Sequence, residues 1–434
     1  MGLVIVQNIV CPICGCACDD IEATVEGNKI VKVKNSCSIS ASKFLNFWKE
    51  RNLSSLIRKN GELAPTSLEE AVEKTAEILV NAEYPLVYGF ALSGCEAQAV
   101  GVELAEEIGG VIDNQTVTCH GPSALGLHDV GMPGCTLGEV RHRADLIVYW
   151  GSNFQEAHPR HLARYSALSE GRFRKGRKDR KVVVIDVRKT PSARVADLFI
   201  PIAPGQDYEL MSALRMALNN DEIEEESVAG LPVDKIEELA EMLRSCQFGI
   251  LFYGLGLTMS RGKERNIDQA VSLVCDLNKW TKFVIMPMRG HYNVTGMNEV
   301  TAWQTGYPYA VDFSHGYPWY NPGETTSIDI LRRGECDAAL IVASDPLAHF
   351  PKEVGQNLCK IPFAVIDPHM SMTALAADVV MPCAFTGIEA EGSAYRMDTV
   401  PLPLKKVIES PPGILSDEEL VGMILKRVKS KRRR

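Results

Sequence analysis

The chain has 434 residues, 46% hydrophobic and 23% charged, proportions that exclude disorder as its main state and leave room for about three domains. Its 46 basic and 55 acidic side chains sum to −9, which offers no footprint for nucleic acid. No apolar run reaches the ~20 residues of a membrane span, and MGLVIVQNIV lacks the basic flank and cleavage site of an export signal, so the chain reads as cytoplasmic.

The 13 cysteines are an odd number in a long chain without an export signal, which argues against a disulfide framework. Cys95, Cys135, Cys246, Cys275, Cys336, Cys359 and Cys383 stand singly and read as small buried hydrophobes. Residues 11–20 read CPICGCACDD, which sets Cys11, Cys14 and Cys18 in C-x2-C-x3-C spacing; Cys37 comes later, and Cys16 is left without a role. Four thiolates can hold zinc or a [4Fe–4S] cluster. Three of them crowded into one loop, with the fourth far off, favour the cluster over the paired knuckles of zinc sites. The intervening IEATVEGNKIVKVKNS alternates and turns at 26–28, a β-hairpin that would return Cys37 to the loop.

Farther on, Val/Ile-rich segments alternate with amphipathic runs such as 68–81 and 233–244, the pattern of βαβ units around a parallel sheet. TVTCHGP at 116–122 sets Cys119 and His120 after a polar, extended stretch. The pair reads either as a metal-ligating thiolate beside a proton carrier or as a buried cysteine next to a surface histidine.

Two segments then repeat. LIVYWGSNFQEAHP from Leu146 resembles LIVASDPLAHFP from Leu340, and VVVIDVRKTPSARVADLFIP from Val182 resembles FAVIDPHMSMTALAADVVMP from Phe363. Ser152 and Ser344 match, as do Asp186 with Asp367 and Asp197 with Asp378. Ligands of open parallel sheets sit beyond strand C-termini, where an acidic residue takes ribose hydroxyls. Two copies suggest two nucleotide-like ligands, or else a duplicated scaffold without any. Between the copies, Gly205-Gln206-Asp207 opens a helix-like run and Gly254-x-Gly256 comes after an apolar strand. The basic stretch 172–181 reads as a solvated loop or subunit contact. Arg289, in RGHYN after the strand FVIMP, offers a planar fork for a carboxylate or is solvated. The run 417–428 looks helical and precedes the tail KSKRRR.

Taken together, these motifs resemble the molybdopterin oxidoreductases, and among them most the B-subunit family of formylmethanofuran dehydrogenases. The fingerprints are CPxCGxxCDDI, TCHGP and RGHYN, and the match runs along nearly the whole chain. The resemblance implies an α/β molybdopterin-oxidoreductase fold in three parts: a small N-terminal β-rich [4Fe–4S] domain at 1–57, a discontinuous Rossmann-like domain from 58–140 and 321–434, and a central one at 141–320. A C-terminal barrel domain is expected to be absent. The implied cofactors are one [4Fe–4S] cluster on Cys11, Cys14, Cys18 and Cys37, and tungsten or molybdenum with two pyranopterin guanine dinucleotides.

The implied reaction is the two-electron reduction of CO2 to formate, which a partner subunit condenses with methanofuran, the first step of methanogenesis from CO2. Cys119 would be the protein thiolate on the metal, His120 the proton carrier and Arg289 the holder of formate or CO2. Cofactor contacts would come from Gly151, Ser152, Asn153, Asp186, Arg188, Thr190, Gly205, Gln206, Asp207, Gly254 and Gly256, and in the second copy from Ser344, Asp345, Asp367, Asp378, Glu391, Gly392 and Ser393. Val187 stands where many relatives have proline, and Gln206 where threonine is common. The implied partners are an amidohydrolase-like subunit, a small barrel-domain subunit and ferredoxin-like or polyferredoxin subunits.

Overall fold

A computed structural model describes residues 2–432. It contains two compact units, one of Met1–Thr118, His291–Arg396 and Pro401–Arg434, the other of Cys119–Gly290 and Met397–Val400. These units divide at 118/119 and 290/291, whereas the domains expected from sequence divide at 140/141 and 320/321. Helix Gly121–Val130 packs on Glu264–Leu277, and helix Val294–Thr305 packs on Cys95–Ile108, which assigns each flanking segment to its unit. Among the described residues no helix is long and apolar enough to cross a membrane.

The first unit holds a nine-stranded sheet whose five central strands are parallel, in the order Val111–Asp113, Pro85–Gly89, Ala338–Val342, Phe363–Ile366, Val379–Met381. All five are buried, as parallel strands covered on both faces must be. One face packs on helices Leu68–Val80, Cys95–Ile108 and Asp417–Arg432. Pro85–Gly89 and Ala338–Val342 are neighbours whose other connections run in opposite directions, so the sheet reverses between them, and ligands of such sheets bind at that point. The backbone beyond both strands is unusual, with φ +67° at Phe90 and +48° at Ala343. This unit also carries a three-stranded antiparallel sheet, Leu3–Ile9, Ile21–Glu26 and Lys29–Lys34. Its expected hairpin turns at Gly27, φ +60°, and leads into helix Ser38–Asn46.

The second unit is a five-stranded, all-parallel sheet ordered Leu198–Pro201, Lys181–Asp186, Leu146–Trp150, Phe248–Tyr253, Lys282–Pro287. Numbered along the chain this is 3-2-1-4-5, the order of dinucleotide-binding sheets, with its reversal between Leu146–Trp150 and Phe248–Tyr253. The amphipathic run at 233–244 is helix Val233–Ser245.

Three local expectations change. Residues Gln115–Thr118 form a 3-10 turn rather than an extended stretch. Of the single cysteines, Cys275 and Cys359 are exposed. The basic stretch 172–181 is not wholly solvated, because Arg180 is only 4% exposed. Its Nε donates to the Ala144 carbonyl at 3.0 Å, and its Nη atoms donate to carbonyls of Ser166 (2.7 Å), Ser169 and Arg141. A guanidinium has five N–H donors in a rigid fork, and here they satisfy carbonyls at the end of helix Leu137–Arg143 and in the loop at Ser166 and Ser169. Arg180→Ala should lower the stability of the folded chain by about 3 kcal/mol, read as a fall in urea midpoint. Arg180→Lys should recover little of it, since an ammonium cannot span the same carbonyls.

Candidate functional site

The cysteine loop is closed by its own backbone. Cys11 N–H donates to the Cys18 carbonyl and Ala17 N–H to the Cys14 carbonyl, both at 2.9 Å, with Ala17 forced to φ +37°. Cys37 is the N-cap of helix Ser38–Asn46, and its Sγ accepts Ser40 N–H. Burial raises the Cys11 thiol, and the charges of Cys14, Cys18 and Cys37 raise it further, so all three lie within electrostatic reach of Cys11. Cys16, without a role in the sequence, is buried; its thiol hydrogen-bonds Cys14, which lowers Cys14 and raises Cys16. Among the described residues no three His, Cys, Asp or Glu side chains form a site for a single metal ion.

In the second unit, loops meet at the reversal of the sheet. A Cβ at Gly254 would lie 2.6 Å from the Gly151 carbonyl oxygen, and one at Gly256 2.8 Å from the Gly151 Cα. The structure thus uses these three glycines for close backbone approach. Ser152 is buried, and Asn153 Oδ1 accepts the Ser192 hydroxyl at 2.9 Å. Asp186, raised by burial, accepts backbone N–H bonds from Arg188 and Val187. Thr190 caps a short helix through Ala193 N–H, while Arg188 and Gln206 are exposed. Gly205 takes φ +74°, and Asp207 accepts the Trp150 indole N–H at 2.8 Å.

Beside these loops stand Cys119, His120 and Arg289. Thr258 Oγ1 donates to the Cys119 carbonyl at 2.8 Å, and burial pushes the Cys119 thiol up to about 11 while Arg289 opposes it. His120 is buried with Nδ1 2.9 Å from Ser123 Oγ. Burial and the Arg289 charge push it down to about 3, so it is neutral at pH 7. Arg289 is buried, and its main-chain carbonyl accepts His158 Nε2–H at 2.8 Å. A carbonyl only accepts, so the unprotonated nitrogen of neutral His158 is Nδ1, and that atom is buried without a partner.

The first unit repeats the device. Asp345 Oδ1 accepts both the N–H of Thr373, at 3.0 Å, and its hydroxyl, as Asn153 accepts Ser192. Asp367 accepts His369 N–H and is pushed up to about 7 by burial. Ser344 Oγ is buried without a partner. Asp367 and Ala343 line a cavity of about 670 Å³, along with Pro12 and Lys43 of the cysteine module, Phe385 and Asp417.

Asp378 does not join them. Its carboxylate accepts Phe363 N–H at 3.0 Å, at the start of the strand whose far end bears Asp367, as Asp197 accepts Val182 N–H at 2.7 Å in the other copy. Glu391 is exposed, Gly392 is half-buried, and Ser393 gives both its N–H and hydroxyl to Glu96.

His158 and Asn293 lie within segments read from the sequence, yet their contacts were invisible there. Asn293 ties Ser93, Ser393 and Tyr395 together, and only the folded chain brings these residues within reach of one another.

A family model, Molybdopterin oxidoreductase, matches residues 56–414. The chain is 51% identical to the B subunit of tungsten-containing formylmethanofuran dehydrogenase 2 from Methanocaldococcus jannaschii, over 98% of this chain and 99% of that one. Among solved structures it resembles acetylene hydratase from Pelobacter acetylenicus (TM-score 0.74, 15% identity, 98% of this chain and 70% of that chain). It also resembles a chain of the formyltransferase/hydrolase complex FhcABCD from Methylorubrum extorquens (TM-score 0.71, 21% identity, 88% and 100%).

The buried histidines make stability depend on pH. His161, whose Nδ1 meets Tyr149 OH at 3.0 Å, is pushed down to about 3 by burial and by His158. An unfolded histidine protonates near pH 6.5. Its contribution is therefore full above that value and lost as pH falls toward about 3. The slope is about 1.4 kcal/mol per pH unit for each such histidine. His161→Asn should flatten the acid limb of urea midpoint against pH by about one proton.

Proposed function

Because the chain belongs to the molybdopterin oxidoreductase family, and within it to the B subunits of formylmethanofuran dehydrogenase, we propose that it is the catalytic subunit that reduces CO2 to formate: CO2 + 2e− + H+ → HCOO−. The observation that carries this reading is the grouping of Cys119, His120 and Arg289 at one strand-end site. When bound, tungsten or molybdenum with two pyranopterin guanine dinucleotides would supply a two-electron centre, fed singly by a [4Fe–4S] cluster on Cys11, Cys14, Cys18 and Cys37.

The residues present suit those groups. Cys119 offers a soft sulfur ligand, and metal binding would replace the proton that burial keeps on its thiol. The strand-end loops supply buried polar atoms awaiting partners, Ser344 Oγ and His158 Nδ1. For the dinucleotides we assign Gly151–Asn153, Asp186 to Thr190 and Gly205–Asp207 to one, and Ser344, Asp345 and Asp367 to the other. Gly254 and Gly256 act through the loop packing they permit. Asp378 is left to the fold.

Arg289 binds the carboxylate as a bidentate fork and stabilises charge developing on the two oxygens. His120 is in its proton-accepting form at neutral pH, and negative charge from formate and the Cys119 thiolate would raise its pKa toward the range useful for transfer. His158 fixes the main chain that carries Arg289. The partners in this reading are the amidohydrolase-like subunit that uses the formate, a small barrel-domain subunit and ferredoxin-like electron carriers.

Elemental and pterin analysis of the anaerobically purified protein tests the reading. It should give one tungsten or molybdenum, two guanine dinucleotide pterins and about four irons per chain. Zinc without pterin would reduce the repeat to a scaffold and remove the catalytic assignment. Cys119→Ala should then lower formate oxidation with a dye acceptor by about a thousandfold or more, in kcat rather than KM. Retained activity would exclude Cys119 as the metal ligand.

A further inference from the structure

Ser40 attracts no notice in the sequence, yet it touches two of the four cluster cysteines. It is 2% exposed. Its amide N–H reaches Cys37 Sγ at 3.4 Å, in the N-cap bond of helix Ser38–Asn46. Its hydroxyl lies 3.2 Å from Cys11 Sγ, 29 residues earlier in the chain. Ser40 is the third residue of the helix, and its hydroxyl is directed at a sulfur of another segment.

In the free thiol either group can donate. An iron-bound thiolate has no proton and can only accept, so the Ser40 hydroxyl must then be the donor.

We propose that Ser40 sets the reduction potential of the iron–sulfur cluster, by donating its hydroxyl to Cys11 and its amide to Cys37. This rests on the reading of the four cysteines as ligands of a [4Fe–4S] cluster. Reduction adds one electron, [4Fe–4S]2+ + e− → [4Fe–4S]+, and places negative charge on the sulfurs. Donors aimed at those sulfurs stabilise the reduced form and raise the potential. The hydroxyl is buried, so bulk water does not compete with it for the sulfur.

The test is a dithionite titration of the anaerobically purified complex with redox mediators. The signal tracked is the difference EPR spectrum between wild-type and variant preparations, which cancels clusters carried by other subunits. At a fixed poise, Ser40→Ala should lower the ratio of reduced to oxidised cluster about tenfold, as expected for loss of a hydrogen bond to a charged acceptor, which is about 59 mV for one electron. Ser40→Thr, which keeps a hydroxyl, should hold the ratio within about twofold of wild type, and Ser40→Cys, a weaker donor, should fall between.

A Ser40→Ala complex with full iron and an unshifted potential overturns the proposal. If Ser40→Ala loses iron, the Thr and Cys variants decide, and equal potentials in both overturn it. Wild-type protein without iron refutes the cluster assignment itself, an outcome that iron counting separates from the other two.

Discussion

The candidate site in the second unit is built around three positions that cannot carry a Cβ. Gly151 ends the first strand of the sheet, and Gly254 and Gly256 come after the fourth; any side chain there would sit within 2.9 Å of the opposing backbone. Their contact is locked by Gly254 N–H on the Trp150 carbonyl and Gly256 N–H on the Gly151 carbonyl, at 3.0 and 2.9 Å. The close approach sets the start of the turn Leu255–Thr258, and Thr258 in turn holds the main chain of Cys119. A glycine pattern that looks like a weak phosphate motif is thus first a packing requirement. Its functional effect passes through the loop it positions.

The internal repeat divides its work between the two ends of each strand. At the C-terminal ends, Asn153 with Ser192 and Asp345 with Thr373 make the same loop-to-loop tie, and Asp186 and Asp367 are carboxyls whose pKa burial raises. At the N-terminal ends, Asp197 receives the N–H of Val182, the second residue of its neighbouring strand, and Asp378 that of Phe363, the first residue of its neighbouring strand. Equal spacing made Asp367 and Asp378 look like one device. Eleven residues are enough for a turn, a short helix and the return to the start of the next strand, so the two carboxylates face opposite edges of the sheet.

Legibility in the sequence tracks locality. The hairpin before Cys37 and the helices at 68–80 and 233–245 carry their signal in periodicity and turn residues close by in the chain. The cysteine spacing and the TCHGP and RGHYN segments are likewise local, so Cys119, His120 and Arg289 could be named without coordinates. The supports of these residues could not. His158 acts on Arg289 across 131 residues, Ser40 on Cys11 across 29, and Arg180 collects carbonyls from the end of helix Leu137–Arg143 and from the loop at Ser166 and Ser169. Each is an ordinary polar residue by type, and its purpose exists only once the sheet has brought remote strand ends together. The 3-10 turn at Gln115–Thr118 escaped because TVT has the composition of a strand, whereas its backbone must turn into helix Gly121–Val130 a few residues on.

The electrostatics of the trio give the reading its direction. Arg289 brings a permanent positive charge into a buried place, and both neighbours respond to it: it pulls the Cys119 thiol toward ionisation and drives His120 toward neutrality. In the proposed reaction, a carboxylate or carboxyl-like transition state entering this site would meet a guanidinium without a competing imidazolium. Burial still outweighs the pull on Cys119 and keeps the proton on its thiol, so a bound metal would have to displace it. An anion at Arg289 would weaken one of the two forces that keep His120 unprotonated, so in the proposed reaction substrate binding and proton acceptance would be coupled through the same charge. That coupling would suit proton transfer in either direction: with formate bound, His120 would be primed to take the proton released as CO2 forms, and in reduction it would give that proton up as formate is made.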